Sequence, residues 1–402
     1  MGISTMRAAA RWLSGLLAVA VLQGCVTTKP PPAIPPATPG VATARYEATA
    51  WAQVEGWQAD QPQQAWSAFL QTCRVRGTRP EWQQVCLAAV TTASTDARAF
   101  FENNFTPYRV VQLKDGQRTE TGLVTGYYEP LLRGARKRSA TFPVPLYGPP
   151  DDLLTIDLGS LYPELKGKRV RGRLQGKRVV PYYTRAELGT QGRGSLQGKE
   201  LLWVDNAVEA FFLEVQGSGR VQFSDGSMVR LAYADQNGQP YRSIGRYLVD
   251  QGQMTLDQAS AQRIRSWIEA HPQRREEVLD VNPSVVFFKQ EKIDDPTQGP
   301  KGALAVPLTA GRSIAVDPQF VPLGAPVFLA TTYPASATPL ARLVLAQDTG
   351  GAIRGISRAD LFWGFGPQAG EAAGKMKQPG RMWLLWPRNM PLPAGFEQGP
   401  GA

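Results

Sequence analysis

Two short segments near the N-terminus carry the apolar spacing of amphipathic helices. Their apolar residues recur three or four positions apart, at Trp66, Phe69, Leu70 and Cys73 within residues 62–75 and at Trp82, Val85, Cys86, Ala89 and Val90 within residues 81–90. The connection between them ends in Pro80, a residue that suits the first turn of a helix. The pattern therefore predicts a helical hairpin whose facing apolar sides carry Cys73 and Cys86.

Beyond residue 123 the pattern changes to short apolar runs separated by Gly, Pro, Asn and Asp. Such runs are typical of strands and hairpins, and they occur at residues 211–215, 221–223, 228–233, 285–288, 313–316, 327–330, 343–346 and 382–386. A capping box at residues 255–258 predicts one helix that ends near Ala270, with His271 closing it at the surface. The predicted fold class is mainly β with a helical N-terminal segment.

Residues 1–24 have the features of an export signal. Two arginines precede an apolar run over residues 12–22, which is too short to span a bilayer as a stable helix. Residues 22–25, Leu-Gln-Gly-Cys, resemble a lipobox, so we expect a lipoprotein signal peptide and acylation of Cys25; plain secretion is the alternative. Val26, in place of Asp, favours sorting to the periplasmic side of the outer membrane.

The segment after this signal is expected to be a linker. Residues 25–44 contain six prolines and predict an extended spacer between the membrane and the folded part. Export also implies an oxidising compartment, in which we expect Cys73 and Cys86 to form a disulfide. Two buried free cysteines are the alternative.

Composition narrows the class of protein. A chain of 402 residues suits roughly two domains. Charged residues make up only 19% of it, and 40 Gly and 33 Pro disfavour coiled coils. His271 is the only histidine, so a histidine metal cluster and a Ser-His-Asp relay both lack their parts. We expect neither a metal nor a cofactor.

The charge of the exported chain suggests which polyanions it meets. Without residues 1–24 it would carry 42 basic and 34 acidic residues, a net charge of +8. Outside the cytoplasm the partners of such a surface are cell-wall peptide carboxylates and lipopolysaccharide phosphates, not nucleic acid. The most basic stretch comprises Arg133, Arg136, Lys137, Arg138, Lys166, Lys168, Arg169, Arg171, Arg173, Lys177 and Arg178. It is interpreted as a solvated face or as a contact for peptide carboxylates.

Three aspartates lie among glycines and prolines at the ends of predicted strands. Asp317 precedes Pro318, Asp348 precedes Thr-Gly-Gly, and Asp360 precedes Leu-Phe-Trp. Here the chain resembles the membrane-bound lytic murein transglycosylase A family, whose C-terminal three-aspartate module is a double-psi β-barrel related to expansins and one class of cellulases. The other motifs similar to that family, in its order, are residues 125–130 (TGYYEP), 215–219 (VQGSG), 233–245 and 282–288.

The resemblance implies a split architecture. Residues 45–135 together with 283–402 would form the double-psi β-barrel domain, and residues 136–282 would form an inserted, second β-barrel-like domain. A substrate groove would run between the two.

The resemblance also implies a reaction. It is cleavage, without water, of the β-1,4 bond between N-acetylmuramic acid and N-acetylglucosamine in peptidoglycan glycan strands. The muramyl C6 hydroxyl attacks C1 and leaves a 1,6-anhydro end. One carboxyl group can act first as general acid and then as base, because the nucleophile belongs to the substrate. By resemblance this residue is Asp360, with Asp348 and Asp317 as companions, in an exo-acting, monomeric enzyme whose candidate protein partners are other cell-wall enzymes.

Physical reasoning on the three aspartates separates their roles. A free Asp has a pKa of about 3.9, which must rise by roughly two units to keep a useful share of protons near neutrality. Apolar residues directly after Asp360 predict such desolvation: Leu361, Phe362, Trp363 and Phe365. We favour Asp360 as the acid and Asp348 as a supporting residue, although its Asp-Thr-Gly-Gly context also fits a structural turn. Asp317 is expected to be a hydrogen-bonding residue of the barrel.

A glycan groove needs flat aromatic faces and groups that bond amides and hydroxyls. The residues expected to bind substrate are Thr125, Gly126, Tyr127, Tyr128, Glu129, Gln216, Ser218, Gly219 and Trp363. For Glu129 the expected role is to orient a hydroxyl or to form a salt bridge.

Two other functions fit the same residues. A hydrolytic muramidase would use Asp360 and Asp348 with water as the nucleophile. A non-lytic, expansin-like wall protein would bind glycan strands without cleaving them.

Overall fold

The computed structural model describes residues 42–165 and 170–399. The expected signal peptide, Cys25 and the predicted linker before Ala42 lie outside the described residues, as do Lys166, Lys168 and Arg169 of the basic stretch. Within the described ranges, every helix is too short or too polar to cross a membrane.

The described strands are β1 (Thr43–Ala48), β2 (Phe105–Lys114), β3 (Gln117–Thr119), β4 (Gly122–Glu129), β5 (Leu131–Ala135), β6 (Val144–Tyr147), β7 (Leu154–Ile156), β8 (Val170–Gln175), β9 (Arg178–Pro181), β10 (Glu200–Val204), β11 (Gly219–Gln222), β12 (Met228–Gln236), β13 (Val286–Glu291), β14 (Ser313–Val316), β15 (Pro326–Thr332), β16 (Pro339–Asp348), β17 (Ala359–Phe365), β18 (Lys377–Pro387) and β19 (Glu397–Gln398). The described α-helices are α1 (Trp66–Arg76), α2 (Pro80–Thr91), α3 (Ala97–Asn104), α4 (Arg185–Gly189), α5 (Ala207–Gln216), α6 (Ile244–Asp250), α7 (Ala261–Ala270), α8 (Arg275–Asp280) and α9 (Gly366–Lys375).

Six of these strands close into a barrel. They pair in the order β15, β16, β14, β17, β4 and β18, and β18 pairs back with β15. The pairs β14–β16 and β17–β4 are parallel and the other four are antiparallel. β2, β1 and β19 continue the sheet from β18. The prediction of a mainly β protein with a closed barrel, built from C-terminal strands plus an earlier one, is confirmed.

Strands β14, β15 and β16 are mostly apolar runs because both of their faces are largely covered. The N-terminal helical segment supplies one cover, since Trp66 and Phe69 of α1 share a buried cluster with Ile314 of β14. The expected hairpin forms from α1 and α2. A disulfide joins Cys73 to Cys86 across it, with Cα atoms 5.3 Å apart.

A second sheet follows the order β13, β12, β11, β5, β10 and β6. Its β5–β11 pair is parallel and the others are antiparallel. Helices α5, α6, α7 and α8 share one buried apolar cluster beside it. The strands β7, β8 and β9 form a separate three-stranded sheet.

The prediction of a strand at residues 211–215 was wrong, because this run belongs to α5. The Oδ1 of Asn206 accepts the first-turn N–H groups of Val208 (2.8 Å) and Glu209 (3.3 Å), and Gly217 ends the helix with φ 79°. Positions 208, 211, 212 and 215 are apolar with helical spacing. A five-residue window hides that period.

The predicted start of the next helix was also wrong. Residues 255–258 form a turn that does not continue, and α7 begins only after Ser260, whose hydroxyl caps it. His271 does follow the helix end, but its ring is half-buried and stacks on Trp267, with centroids 4.1 Å apart.

The strand pairing suggests where the two parts of the chain divide. β4 belongs to the barrel sheet and β5 to the second sheet, so the chain passes between them at Pro130. β13 still pairs within the second sheet. We propose that the insert extends over residues 131–291, a little beyond the expected 136–282 at each end.

Candidate active site

Asp360 and Asp348 flank the same residue of the barrel. Asp360 lies on β17 opposite Ala315 of β14, and Asp348 ends β16 opposite Ala315 on the other side of that strand. Two strand spacings, about 10 Å, therefore separate their backbones. Thr125 and Tyr127 share one face of β4 because side chains alternate along a strand. Thr125 bonds to Asp360 and Tyr127 to Asp348, so the four side chains form one site.

The environment of Asp360 makes its carboxyl group a weaker acid. The Thr125 hydroxyl donates to Oδ1 at 2.5 Å. Burial raises the pKa of Asp360 to about 6, against the hydrogen bond from Thr125 and the charge of Arg358, while the charge of Asp348 adds to the rise. A carboxyl group with that pKa is about one-tenth protonated at pH 7. It can therefore both give and take a proton near neutrality.

Phe362 and Tyr127 supply the apolar surroundings. Alternation along β17 puts Phe362 on the same face as Asp360. The Phe362 side chain is buried, and its ring centroid lies 5.3 Å from that of Tyr127. Of the other expected apolar neighbours, Leu361 packs in the barrel core and Phe365 is exposed.

Trp363 is not placed where a sugar-binding residue was expected. Its indole N–H lies 3.3 Å from the sulfur of Met376, and a Cβ on Gly126 would come within 2.6 Å of the indole nitrogen. Gly126 alternates with Thr125 and Tyr127, so this packing occurs on the opposite face of β4. Gly126 and Trp363 are therefore a packing pair, which corrects their expected role.

Arg358 belongs to the site but was missed by sequence reasoning. Its Nη2 donates to the Oγ1 of Thr125 at 2.8 Å, and its Nη1 donates to backbone carbonyls of Ala359 and Leu123. Because a guanidinium group can only donate, the Thr125 oxygen must accept from it and direct its own proton to Asp360. The position of Arg358, two residues before Asp360 and directly before β17, was the available signal.

Asp348 is held by three donors. Its Oδ1 accepts the backbone N–H groups of Ala303 and Thr349, both at 2.9 Å, and its Oδ2 accepts the hydroxyl of Tyr127 at 3.0 Å. Burial raises the pKa of Asp348, while the three hydrogen bonds lower it. Burial has the larger effect, so the pKa of Asp348 lies above its usual value, while the three donors hold its carboxyl group in place.

Asp317 lies apart from this pair. It is buried, and its carboxylate accepts the backbone N–H groups of Gln319 at 3.2 Å and Gly355 at 2.8 Å. Gly355 has φ 108°, a backbone conformation that favours glycine. Asp317 therefore joins two loops of the barrel, which is the hydrogen-bonding role expected for it.

Residues from α5 and the following turn reach β4. The Oε1 of Gln216 accepts the backbone N–H of Tyr128 at 3.1 Å. The Tyr128 hydroxyl lies 3.4 Å from Nη2 of Arg265. Ser218 is half-buried, but a Cβ on Gly219 would come within 2.2 Å of a Leu213 methyl group. Gln216, Tyr128 and Ser218 remain candidates for substrate contact, whereas Gly219 is a packing residue.

Glu129 is not part of an open surface. Its side chain is fully buried, with Oε2 2.8 Å from Nε of Arg220 and Oε1 2.5 Å from Nε of Arg230. The two arginines also donate to the carbonyls of Pro296 and Gln298. The expected salt bridge is present. Glu129 is therefore corrected from a substrate-binding residue to a buried ion-pair residue that links the end of β4 to the second sheet.

The arrangement can transfer a proton but offers no metal centre. Within residues 42–165 and 170–399, no cluster of His, Cys, Asp or Glu could hold a metal ion. A half-buried carboxyl group with a pKa of about 6 stands beside a second carboxyl group that accepts three hydrogen bonds, in a partly apolar environment. Such a pair suits acid–base catalysis on a neutral substrate.

Comparison with known proteins shows which chains are similar to this one. The chain matches the family model described as "MltA specific insert domain" over residues 123–289 and that described as "3D domain" over residues 312–386. It is 35% identical over 275 residues to "Membrane-bound lytic murein transglycosylase A" of Escherichia coli K12, covering 65% of this chain. That match spans 64% of the relative's own length.

Solved structures share the fold. MltA from Neisseria gonorrhoeae is 37% identical with a TM-score of 0.75, and the match covers 89% of this chain and 97% of that one. Escherichia coli MltA with bound chitohexaose is 27% identical with a TM-score of 0.63, covering 85% and 94%. The chain belongs to the membrane-bound lytic murein transglycosylase A family.

Proposed function

We propose that the protein is a lytic transglycosylase that cleaves the β-1,4 bond between N-acetylmuramic acid and N-acetylglucosamine in peptidoglycan without water. The observation that carries this proposal is the contrast between the two aspartates. Asp360 has a pKa of about 6 and one side-chain donor, whereas Asp348 accepts three hydrogen bonds. One group is suited to move a proton, and the other is held in place by its three donors.

The proposed proton path uses the second oxygen of Asp360. Among the described residues, Thr125 donates to Oδ1 and no side chain donates to Oδ2. The protonated Oδ2 gives its proton to the glycosidic oxygen as the bond from C1 breaks. The muramyl C6 hydroxyl then bonds to C1 and returns its proton to Oδ2, which closes the 1,6-anhydro ring. In this proposal the Asp348 carboxylate stabilises the positive charge that develops near C1.

A water-dependent muramidase is the competing function. It would need Asp348 as a base for water, but three of the roughly four acceptor positions of that carboxylate are already occupied by protein donors. The non-lytic binder needs no group with a raised pKa. The geometry therefore favours the transglycosylase.

The relatives support proposals for the substrate of this protein and for its location. The complex of the Escherichia coli relative with chitohexaose supports binding of a β-linked amino-sugar chain, and we propose that this protein binds it beside Thr125, Tyr127 and Asp360. The relatives' name, membrane-bound, supports an envelope location. We propose a lipid anchor at Cys25 on the periplasmic side of the outer membrane, exo-action on glycan strands, a monomeric state and other cell-wall enzymes as partners.

Digestion of purified sacculi in heavy-oxygen water tests the function. A transglycosylase should release muropeptides that end in 1,6-anhydromuramic acid, one water lighter than hydrolysed fragments, and without heavy oxygen. Labelled reducing ends would identify a muramidase. Tight binding to sacculi with no soluble product would identify a non-lytic binder.

A further inference from the structure

The small sheet β7–β9 in the insert has one entirely apolar face. The strand register places Leu154, Ile156, Val170, Gly172, Leu174, Val179 and Pro181 on this face. Glycine apart, each of these residues has an apolar side chain. We call this surface the outer face of the small sheet.

The other face of the small sheet is basic, and it is the face that packs against the protein. The Nε of Arg171 bonds to Oδ1 of Asp235 at 2.9 Å, and the guanidinium carbon of Arg173 lies 4.0 Å from the ring centre of Tyr183. A Cβ on Gly238 would come within 2.6 Å of the Cβ of Arg171. Half-buried sheets usually turn their apolar face inward, so this sheet is reversed.

Within the part of the chain that the structure describes, the outer face is only partly covered: Leu154, Ile156 and Val170 are half-buried, whereas the end of the sheet near the β8–β9 turn is exposed. Leu174 and Val179, directly opposite each other, are 63% and 51% exposed. No outer-face side chain belongs to the buried clusters or packs against one. Leu161 and Tyr162, which follow β7, are exposed as well. An apolar patch of this kind marks an interaction surface.

We propose that the outer face docks onto an anionic phospholipid bilayer. Lys177 and Arg178 are exposed at the turn of the β8–β9 hairpin, next to Leu174 and Val179. Cations that border exposed apolar side chains are typical of interfacial anchors on anionic membranes. A second copy of the chain is a less favourable partner for this face. In a symmetric interface the basic turns of the two copies would lie near each other, and their like charges would repel.

The length of chain before the described part supports the same partner. Residues 26–41 separate the proposed acyl site at Cys25 from Ala42. At about 3.1 Å per residue for extended Pro-rich chain, they span at most about 50 Å. An anchored protein would meet the bilayer at a high effective concentration, so weak docking by the outer face would be enough.

The test uses the unacylated chain from Val26 to Ala402, which contains every described residue. It is sedimented with vesicles of phosphatidylethanolamine and phosphatidylglycerol, and with vesicles of phosphatidylcholine alone. We expect binding to the anionic vesicles only. A Leu174→Asp, Val179→Asp double variant should bind about tenfold or more weakly. The matched control is Leu87→Asp with Val90→Asp, a more exposed Leu and Val pair on α2 at 66% and 76%, which should bind normally.

Further measurements keep the result decisive. Release of muropeptides from sacculi and the near-ultraviolet circular dichroism spectrum should be unchanged in the Leu174 and Val179 variant. If that variant does not fold, Lys177→Gln with Arg178→Gln replaces it and should lower both the affinity and its salt dependence. Absence of wild-type binding, or equal binding by the variants, would overturn the proposal. A wild-type dimer in sedimentation velocity that Leu174→Asp dissociates would assign the face to a second copy and overturn it too.

Discussion

Replacing Thr125 by Val tests how the site sets the acidity of Asp360. The substitution keeps the side-chain shape but removes the hydroxyl that donates to Oδ1 of Asp360 and accepts from Arg358. A hydrogen bond to a charged group contributes about 1.5–3 kcal/mol, and one pKa unit corresponds to about 1.4 kcal/mol. The pKa of Asp360, about 6 in the native site, should therefore rise by about one to two units.

The sign of the effect on activity follows from the role of Asp360 as an acid. Cleavage needs the protonated carboxyl group, so activity should fall as the pH rises through its pKa. This fall in activity is the alkaline limb of the pH–rate profile, and a higher pKa of Asp360 moves it to higher pH. Relative to its own maximum, the Thr125→Val variant should keep more activity at about pH 8 than the wild type, even if its maximum is lower.

Initial rates of muropeptide release from sacculi, measured from about pH 5 to pH 9, give the required profile. Thr349→Val is the matched control, because Thr349 bonds to Asp348 through its backbone N–H, which the substitution retains. That control should leave the limb in place. An alkaline limb that stays fixed or moves to lower pH in Thr125→Val would refute the reasoning.

Other predictions concern stability, each measured by denaturant unfolding. Glu129→Gln leaves two buried arginines without their carboxylate and should lower the free energy of unfolding by about 3–5 kcal/mol. The control Glu371→Gln, at an exposed position, should have no measurable effect. Equal effects of the two substitutions would contradict a stabilising role for the buried ion pairs of Glu129. Reduction of the Cys73–Cys86 disulfide, which closes a loop with a sequence separation of 13, should cost about 3 kcal/mol, and an unchanged midpoint would contradict this. Asn206→Ala removes the cap of α5 and should cost about 1 kcal/mol; no loss would mean that packing alone holds that helix.

The sequence predicted the elements whose signal is local. Residues 313–316 appear as a strand with the predicted bounds, because a buried barrel strand is a short, continuous apolar run. The hairpin that carries Cys73 and Cys86 was equally visible in its helical spacing. The run at residues 211–215 misled because a window of five residues, four of them apolar, has no resolvable period; the wider spacing from position 208 and the cap at Asn206 identify the helix.

The site itself depends on pairing between distant strands, which the sequence does not display. The elevated pKa of Asp360 was expected from its apolar neighbours, but the contacts from Thr125 and Arg358 arise from the parallel pairing of β17 with β4. Glu129 has the same neighbours in sequence as the groove candidates, yet two arginines from β11 and β12 bury it. The sequence does not show that the apolar face of the small sheet points outward. An inward and an outward apolar face give the same alternation of apolar and polar residues along a strand.

The central claim is that Asp360 alone moves the proton in a cleavage that uses no water. It is tested most directly by measuring 1,6-anhydromuropeptide release by Asp360→Asn and Asp348→Asn, with sacculus binding measured on the same preparations. We expect Asp360→Asn to bind normally while turnover falls by at least about 10²-fold, and Asp348→Asn to keep more turnover or to lose folded yield. Normal turnover by Asp360→Asn would contradict the account.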